Sequence, residues 1–341
     1  MADVVVVGAG IVGASVGYHA ARLGADVTLV DRALPAAGAT RESFGWIGAS
    51  ERVPGPGAAL RAAAVREYRR LEDEIPDVRV RWSGSLSWGG PEPSGDLEPG
   101  RHLVGAEQVA ALEPNLRTPP ARAVHIPGDG AVDPSGTTDA LVTAARERGA
   151  RLVSGTAVTG LRVVRSRVAG VETTSGFLEA GTVVLASGAD VSVLCAPLGI
   201  ALPVAPSPAI LVRLTGPADL VRTLVATPDL EVRAAGDGEL VSAVGYGGET
   251  TTAELARSAE RTRVRIIETF DGDVRLLSAR VGIRPMPADG NPVIGRLPTV
   301  HGAYVAVMHS GVTLAPVAGR LVAEEVVQGL DAPELRGCRP R

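Results

Sequence analysis

Gly8, Gly10 and Gly13 stand at GxGxxG spacing directly behind the β-branched run Val4, Val5, Val6 and Val7, and Gly17 follows four residues later. The first glycine permits a tight turn, the second lets backbone approach a pyrophosphate, and the third lets a helix pack closely on a strand. A helix beginning at Ile11 and Val12 points its positive end at phosphate. Asp31, after a second apolar run over 26–30, is placed to accept hydrogen bonds from a ribose, and a carboxylate there disfavours a 2′-phosphate. Taken alone it is a solvated turn acid before Arg32. Strand, glycine turn, helix, strand and acid within about 30 residues predict a dinucleotide site.

An NAD domain would continue at once with another helix and strand. This chain runs instead through Gly38, Ala39, Thr40, Arg41, Glu42, Ser43, Phe44, Gly45 and Trp46. Such a loop can donate amide and hydroxyl hydrogen bonds to a second phosphate and a ring system. It also gathers two aromatics from a chain with three Phe and three Trp. FAD is therefore the expected dinucleotide. Farther on, Arg284 before Pro285 can hold a carboxylate through two parallel hydrogen bonds, the alternative being a structural pair with an acid such as Asp289. His309, before Ser310, reads as a base, a substrate donor or an oxygen-side cation, or else as a capping residue at a strand end. Tyr246, between Gly245 and Gly247, lines a substrate pocket or sits in a surface turn. Gly311 opens a helix whose dipole can stabilise negative charge on the pyrimidine edge of a reduced flavin.

All 34 basic side chains are arginine, and the chain has no lysine. That excludes a pyridoxal Schiff base, a P-loop lysine, a kinase strand lysine and any lysine general base. A net charge of −4 points away from nucleic acid. No apolar run approaches the roughly 18 residues of a membrane span. Met1, Ala2 and Asp3 lead into the first apolar run without the cationic region of a signal peptide. Cys195 and Cys338 are the only cysteines, so no disulfide framework is expected and a cytoplasmic enzyme is. No metal site is expected either.

With 341 residues, 45 % of them apolar and 21 % charged, the chain reads as two globular bodies. Helices are expected over 11–23, 61–74, 137–148, 252–269 and 314–328. Strands are expected over 151–154, 157–164, 182–185, 210–214, 240–244 and 303–307, and an antiparallel strand pair over 79–88. Pro and Gly cluster at Pro54, Gly55, Pro56 and Gly57, and again at Gly89, Gly90, Pro91, Glu92 and Pro93. Three separated segments, 4–13, 183–188 and 305–311, each carry a buried strand into a glycine turn. A discontinuous α/β, Rossmann-like FAD-binding domain over 1–78, 131–198 and 284–331 explains that pattern. An inserted substrate domain on a mixed or antiparallel sheet then occupies 79–130 and 199–283, and a flexible tail 332–341.

These blocks resemble the FAD-dependent amino-acid and amine oxidases, the family of D-amino-acid oxidase, glycine oxidase and sarcosine oxidase, with glycine oxidase-like members nearest. The resemblance rests on the glycine motif with Asp31, the loop 40–49 ending at Ala49, the stretch 129–134, Leu185 to Ala189 with Ala186 and Gly188, Gly282 to Pro285 with Asp289 to Gly295, and His309 to Pro316. It implies an antiparallel substrate sheet over the flavin and oxidation of a C–N bond by hydride transfer to flavin N5. An imine forms, and oxygen (giving H2O2) or another acceptor reoxidises the flavin. It assigns FAD contacts to Ile11, Val12, Asp31, Arg32, Ala39, Thr40, Phe44, Gly45, Trp46, Val158, Val307, Met308, His309, Ser310, Gly311, Val312 and Thr313. It assigns the substrate carboxylate to Arg284. Two departures stand out. The glycine oxidase pattern has a second arginine at the place of His309, and a carboxylate-binding tyrosine near Glu231–Arg233. The block 282–287 lacks the cysteine that tethers FAD in sarcosine oxidases, so FAD is expected to be noncovalent. The alternatives are a 2-hydroxy-acid dehydrogenase and the FAD-holding subunit of a larger amine dehydrogenase. The expected partners are a small amine or amino acid and an electron acceptor, with a homo-oligomer or partner subunit compatible.

Overall fold

The computed structural model describes residues 3–48, 55–90, 97 and 99–340. Met1, Ala2, Ala49, Pro54, Pro91, Glu92 and Pro93, named above, lie outside them. The helices are α1 (Ile11–Arg22), α2 (Ala58–Glu74), α3 (Ala106–Leu112), α4 (Pro134–Glu147), α5 (Val191–Cys195), α6 (Thr252–Thr269) and α7 (Gly311–Gln328).

The three strands that run into glycine turns lie side by side. Asp3–Val7, Thr182–Leu185 and Ala303–Val307 are parallel neighbours at the centre of a six-stranded sheet. Asp26–Val30 and Arg151–Val153 extend it on one side, and Val293–Arg296 closes the other edge antiparallel. Their unbroken apolar character follows from burial on both faces. Val4, Val6 and Leu29 pack under α1, α2, α4 and α7. Val5, Val7, Val183 and Val305 pack the opposite face, against α5 and the three-stranded sheet of Val158–Val164, Arg167–Thr173 and Gly176–Glu179. Helices α1 and α7 touch closely at Gly319, where a Cβ would stand 2.7 Å from Ser15 backbone carbon.

The second body is an eight-stranded mixed sheet in the order Arg275–Pro287, Val204–Thr215, Glu239–Gly245, Glu231–Gly236, Leu224–Ala226, Ser85–Ser87, Arg122–Ile126 and His102–Gly105. Successive side chains alternate between its faces. Ile210, Val212, Val232 and Leu240 point to one side, where Ala259 and Ile266 of α6 cover them. The opposite side carries Arg213, Arg233 and Gly282 toward the loop 41–45.

Local chemistry sets the helix ends. The expected helix 252–269 is α6 itself, because Thr251 and Glu254 form a reciprocal capping box. Helix α4 begins at Pro134 rather than 137, since Asp133 accepts from the N–H groups of Ser135 and Gly136 and proline suits the first helical position. Helices α2 and α7 each start three residues earlier than expected.

Three expectations are corrected. The stretch 79–88 is not a strand pair: Glu72 takes the Val80 N–H and the Trp82 indole, leaving only Ser85–Ser87 as strand. That strand runs parallel to Leu224–Ala226, a segment remote in sequence. The boundary at 284 cuts a continuous strand, for Arg275–Pro287 pairs with Val204–Thr215 through Pro287. The segment 332–341 is not a loose tail over its described part. Pro333–Cys338 winds into a 3₁₀ turn that buries Leu335 and Cys338, and Arg339 pairs with Glu325 (2.5 Å) and Asp331 (3.0 Å). Both cysteines are buried as free thiols, and burial pushes each up to about 11. Among the described residues no helix is long and apolar enough to cross a membrane.

Candidate active site

The glycine turn sits where the three central strands end. Gly8 has φ 103°, and a Cβ on it would stand 2.5 Å from the Ala186 carbonyl oxygen, so only glycine fits between the two strand ends. The Asp31 carboxylate accepts from the Ala9 N–H (2.7 Å) and the Ala33 N–H (2.8 Å), which fixes it beside the turn. A carboxylate has about four lone-pair positions, so acceptor capacity is left for ribose hydroxyls. Thr156 donates its N–H to the Asp31 carbonyl (2.9 Å), bringing the segment of Val158 to the same end of the sheet. Arg32 reaches across to Asp190 (2.9 Å), just beyond Gly188.

The loop that follows α1 and its strand folds back onto the helix start. Thr40 Oγ1 accepts from the Ile11 N–H (3.1 Å) and stands beside Gly10. The Ser43 hydroxyl accepts from Gly45 (3.4 Å), Trp46 pairs with Ala131, and the Trp46 carbonyl accepts from Thr313 Oγ1 (2.8 Å). That last bond ties the loop to the first turn of α7. Gly311, the first residue of α7, lies against Val12 of α1, so two helix N-termini converge. Ser310 before it is left-handed, at φ 59°, and makes no side-chain cap. A strained residue before uncapped N–H groups is an anion-facing arrangement. Val307 and Met308 bury their side chains on opposite faces of the six-stranded sheet, leaving backbone to the site.

Proline inside α7 leaves a carbonyl without its helical donor. Pro316 cannot serve Val312, and the buried Tyr68 hydroxyl of α2 does so instead, at 2.6 Å.

These residues fit a dinucleotide. The glycine cradle, the ribose-side carboxylate and two convergent helix ends are all present, and Ser187 Oγ, in the turn beside Gly8, is buried without a partner among the described residues.

Arg284 lies on the face of the eight-stranded sheet that meets the loop. It donates to the Ser207 carbonyl (3.3 Å) and Ser207 Oγ (2.9 Å), and no carboxylate pairs with it among the described residues. Asp289 accepts instead from the Asn291 N–H (3.0 Å), so the structural pair with Arg284 is not formed. His309 Nδ1 lies 3.4 Å from Ser310 Oγ. Burial and the guanidinium groups of Arg284 and Arg61 hold His309 below its ordinary value, so it is neutral at pH 7. These causes work against a histidine cation at this corner. The positive charge in this corner belongs to Arg284 and Arg61, and Arg61 has a buried Nη1 without a partner among the described residues.

Tyr246 faces away from the loop. Gly245 pairs with Ala209 on the loop-facing side, so the next residue turns away; Tyr246 packs on the α6 side and donates to the Glu249 carbonyl (2.8 Å). Sequence reasoning passed over Arg233. It is 5 % exposed, and its guanidinium donates to the carbonyls of Phe44 (2.6 Å), Val132 (3.0 Å) and Ala234 (2.9 Å). Burial lowers its pKa to about 10.

Residues 3–325 match the family model described as DAO, FAD dependent oxidoreductase, and the chain belongs to that family. It is 31 % identical over 286 residues to a D-amino acid dehydrogenase of Cereibacter sphaeroides, covering 80 % of this chain and 62 % of that protein. The match thus spans less than two thirds of that relative. A glycine oxidase of Geobacillus kaustophilus is 28 % identical over 353 residues, covering 95 % of this chain and 92 % of the other. Its crystal structure superposes with a TM-score of 0.86 at 25 % identity, over 99 % of this chain and 98 % of that one. Iminodiacetate oxidase from Chelativorans sp. BNC1 superposes at 0.84 with 26 % identity, over 99 % of this chain and all (100 %) of the other.

Proposed function

We propose that this FAD-dependent oxidoreductase oxidises the C–N bond of an amino acid or amine whose carboxylate Arg284 holds. The observation that carries the reading is the Arg284 guanidinium, set on the loop-facing side of the sheet with serine oxygens as its only partners among the described residues. A guanidinium left without a carboxylate in a cleft is a docking point for a ligand carboxylate. The family resemblance to glycine oxidase and iminodiacetate oxidase supports a substrate that combines carboxylate and amine.

The six-stranded body holds FAD through the cradle of Gly8, Gly10 and Gly13, Asp31, the loop at Thr40–Trp46 and the start of α7. No cysteine lies in the block 282–287, which supports noncovalent FAD. When bound, FAD supplies the acceptor for a hydride from the carbon beside nitrogen. Arg284 fixes the substrate by its carboxylate, so the neighbouring C–H is presented in one orientation. Neutral His309 offers one acceptor nitrogen to the amine. The imine leaves and hydrolyses in water.

Anaerobic titration of the yellow enzyme against amines, D- and L-amino acids and hydroxy acids tests this. Amino acids should bleach the flavin. Arg284→Met should keep its flavin and lose about 2–5 kcal/mol of apparent binding, roughly 30- to 5,000-fold in kcat/KM. Bleaching by hydroxy acids alone, or an unchanged kcat/KM in the variant, overturns the reading.

A further inference from the structure

The loop-facing side of the eight-stranded sheet carries a second charge that no side chain pairs among the described residues, of opposite sign to Arg284. Strand register places it. Arg280 pairs with Leu211, Leu211 with Ala243, and Ala243 with Glu231, so Glu231 shares the face of these residues. Arg233, two residues on, points to the same side and reaches the Phe44 and Val132 carbonyls, which identifies that side as the cleft wall. Arg284 occupies the same face through its pairing with Ser207. Between the two charges the register places Ala209, Ala243 and Gly245, with Leu211 beside them.

Three strand spacings and four residues separate Glu231 from Arg284, about 20 Å between Cα atoms on an untwisted sheet. Their long side chains shorten that gap without closing it. The two groups form no ion pair, although the Arg284 charge is felt at Glu231. The Glu231 carbonyl accepts from Ser242 Oγ (2.6 Å), while its carboxylate meets no donor among the described residues. The surrounding protein raises the Glu231 pKa and Arg284 opposes that rise. An exposed carboxylate with no donor among the described residues, on the same face as the Arg284 guanidinium, favours a cation and repels an anionic group.

Resting on the assignment of Arg284 to the substrate carboxylate, we infer that Glu231 is a specificity-determining residue that receives a second, cationic group of the substrate. The preferred substrate class is then an amino acid whose side chain ends in an ammonium or guanidinium. A cation there gains a charge-assisted hydrogen bond or ion pair. The reacting amine is left free, because Glu231 and Arg284 stand about 20 Å apart between Cα atoms along the sheet.

The test uses two ligands that cannot be oxidised at an amine: the trimethylammonium derivative of γ-aminobutyrate and its isostere ending in tert-butyl. They share the carboxylate and the shape and differ only in charge. Binding to the FAD-loaded enzyme is read from the perturbation of the flavin spectrum. The cationic ligand should bind wild type about tenfold or more tightly than its isostere. Glu231→Gln should erase that preference while leaving the isostere's affinity unchanged, and Glu231→Asp should retain part of it. Equal binding in wild type, or a preference that survives in Glu231→Gln, overturns the inference. Arg284→Met separates the two readings. If it weakens both ligands equally, the carboxylate site stands whatever Glu231 does; if it weakens neither, that site is lost and the Glu231 assignment with it.

Discussion

The Tyr68 hydroxyl donates to the Val312 carbonyl across 2.6 Å, linking α2 to the one acceptor in the first turn of α7 that Pro316 leaves without a helical donor. The bond is buried, and burial raises the Tyr68 phenol well above its ordinary value, so it stays a donor at any working pH. It also steadies the helix end that Thr313 joins to Trp46. Tyr68→Phe keeps the ring and strands the carbonyl. Urea unfolding should show a loss of about 1–3 kcal/mol, the usual result of leaving a buried acceptor unsatisfied. A loss below about 0.5 kcal/mol would mean that water or a shifted backbone takes over the acceptor.

Arg233 is the main polar tie between the substrate sheet and the loop of Phe44. It donates to the backbone carbonyls of Phe44 in the loop, Val132 and its own neighbour Ala234. In Arg233→Met the apolar stem is conserved and the donors are lost. The expected outcome is at least about 3 kcal/mol of destabilisation together with weaker FAD retention, since two or more charge-assisted bonds of about 1.5–3 kcal/mol disappear. Unfolding curves and FAD release on gel filtration measure both. Loss of stability with full FAD retention would show that the loop keeps its shape without the tie.

Much of the six-stranded body is legible in the sequence because its signals are local. Val4 to Val7, Thr182 to Leu185 and Ala303 to Val307 are β-branched or apolar runs followed by glycine turns, and each is a central strand. Thr251 and Glu254 fix the start of α6 within four residues. The eight-stranded sheet is harder, because its neighbours come from distant parts of the chain. Ser85–Ser87 pairs with Leu224–Ala226 across more than half the sheet's sequence span, and no pattern near Arg81 announces that. Single charges inside regular elements are hardest. Arg61, Glu231 and Arg233 look like ordinary surface residues until register shows which face each occupies. Tyr246 shows the converse: it stands out in a Gly-rich turn, yet period-two alternation turns it away from the cleft.

His19 of α1 is 1 % exposed, and neither ring nitrogen has a partner among the described residues. Burial first, and then the charges of Arg70, Arg22 and Arg320, hold its pKa well below 6.5. The folded state thus keeps it neutral where the unfolded chain protonates it. Above about pH 6.5 neither state binds the proton and there is no effect. As pH falls below that value, the unfolded state gains a proton the folded state refuses, and stability should fall by up to about 1.4 kcal/mol per pH unit. His19→Met should flatten this dependence and raise stability near neutral pH by about 1 kcal/mol or more, because an unsatisfied buried N–H is removed. Denaturant titrations from pH 5 to 8 measure it. An unchanged slope in His19→Met would assign acid sensitivity to other groups.

The last prediction concerns the corner where His309 meets two arginines. With no lysine in the chain, a positive charge that favours electron transfer to oxygen must come from arginine or protonated histidine. His309 is held neutral by burial, Arg284 and Arg61, so its titration lies below pH 6.5 and leaves the range above it flat. Arg61 reaches the same corner from α2 and has a buried Nη1 with no acceptor among the described residues. Stopped-flow mixing of reduced enzyme with oxygen should therefore give a rate independent of pH between about 6.5 and 9, in wild type and in His309→Ala alike. Arg61→Met should slow that rate by about tenfold or more, the scale expected when a preorganised charge is withdrawn from a developing anion. NMR titration adds a readout independent of turnover, since removing the Arg61 charge should raise the His309 pKa. A wild-type rate that falls between pH 6.5 and 8 and becomes flat in His309→Ala would return the role to histidine. Uniformly slow reaction with oxygen and fast reduction of dyes would instead make the protein a dehydrogenase, in which Arg61 serves the substrate side.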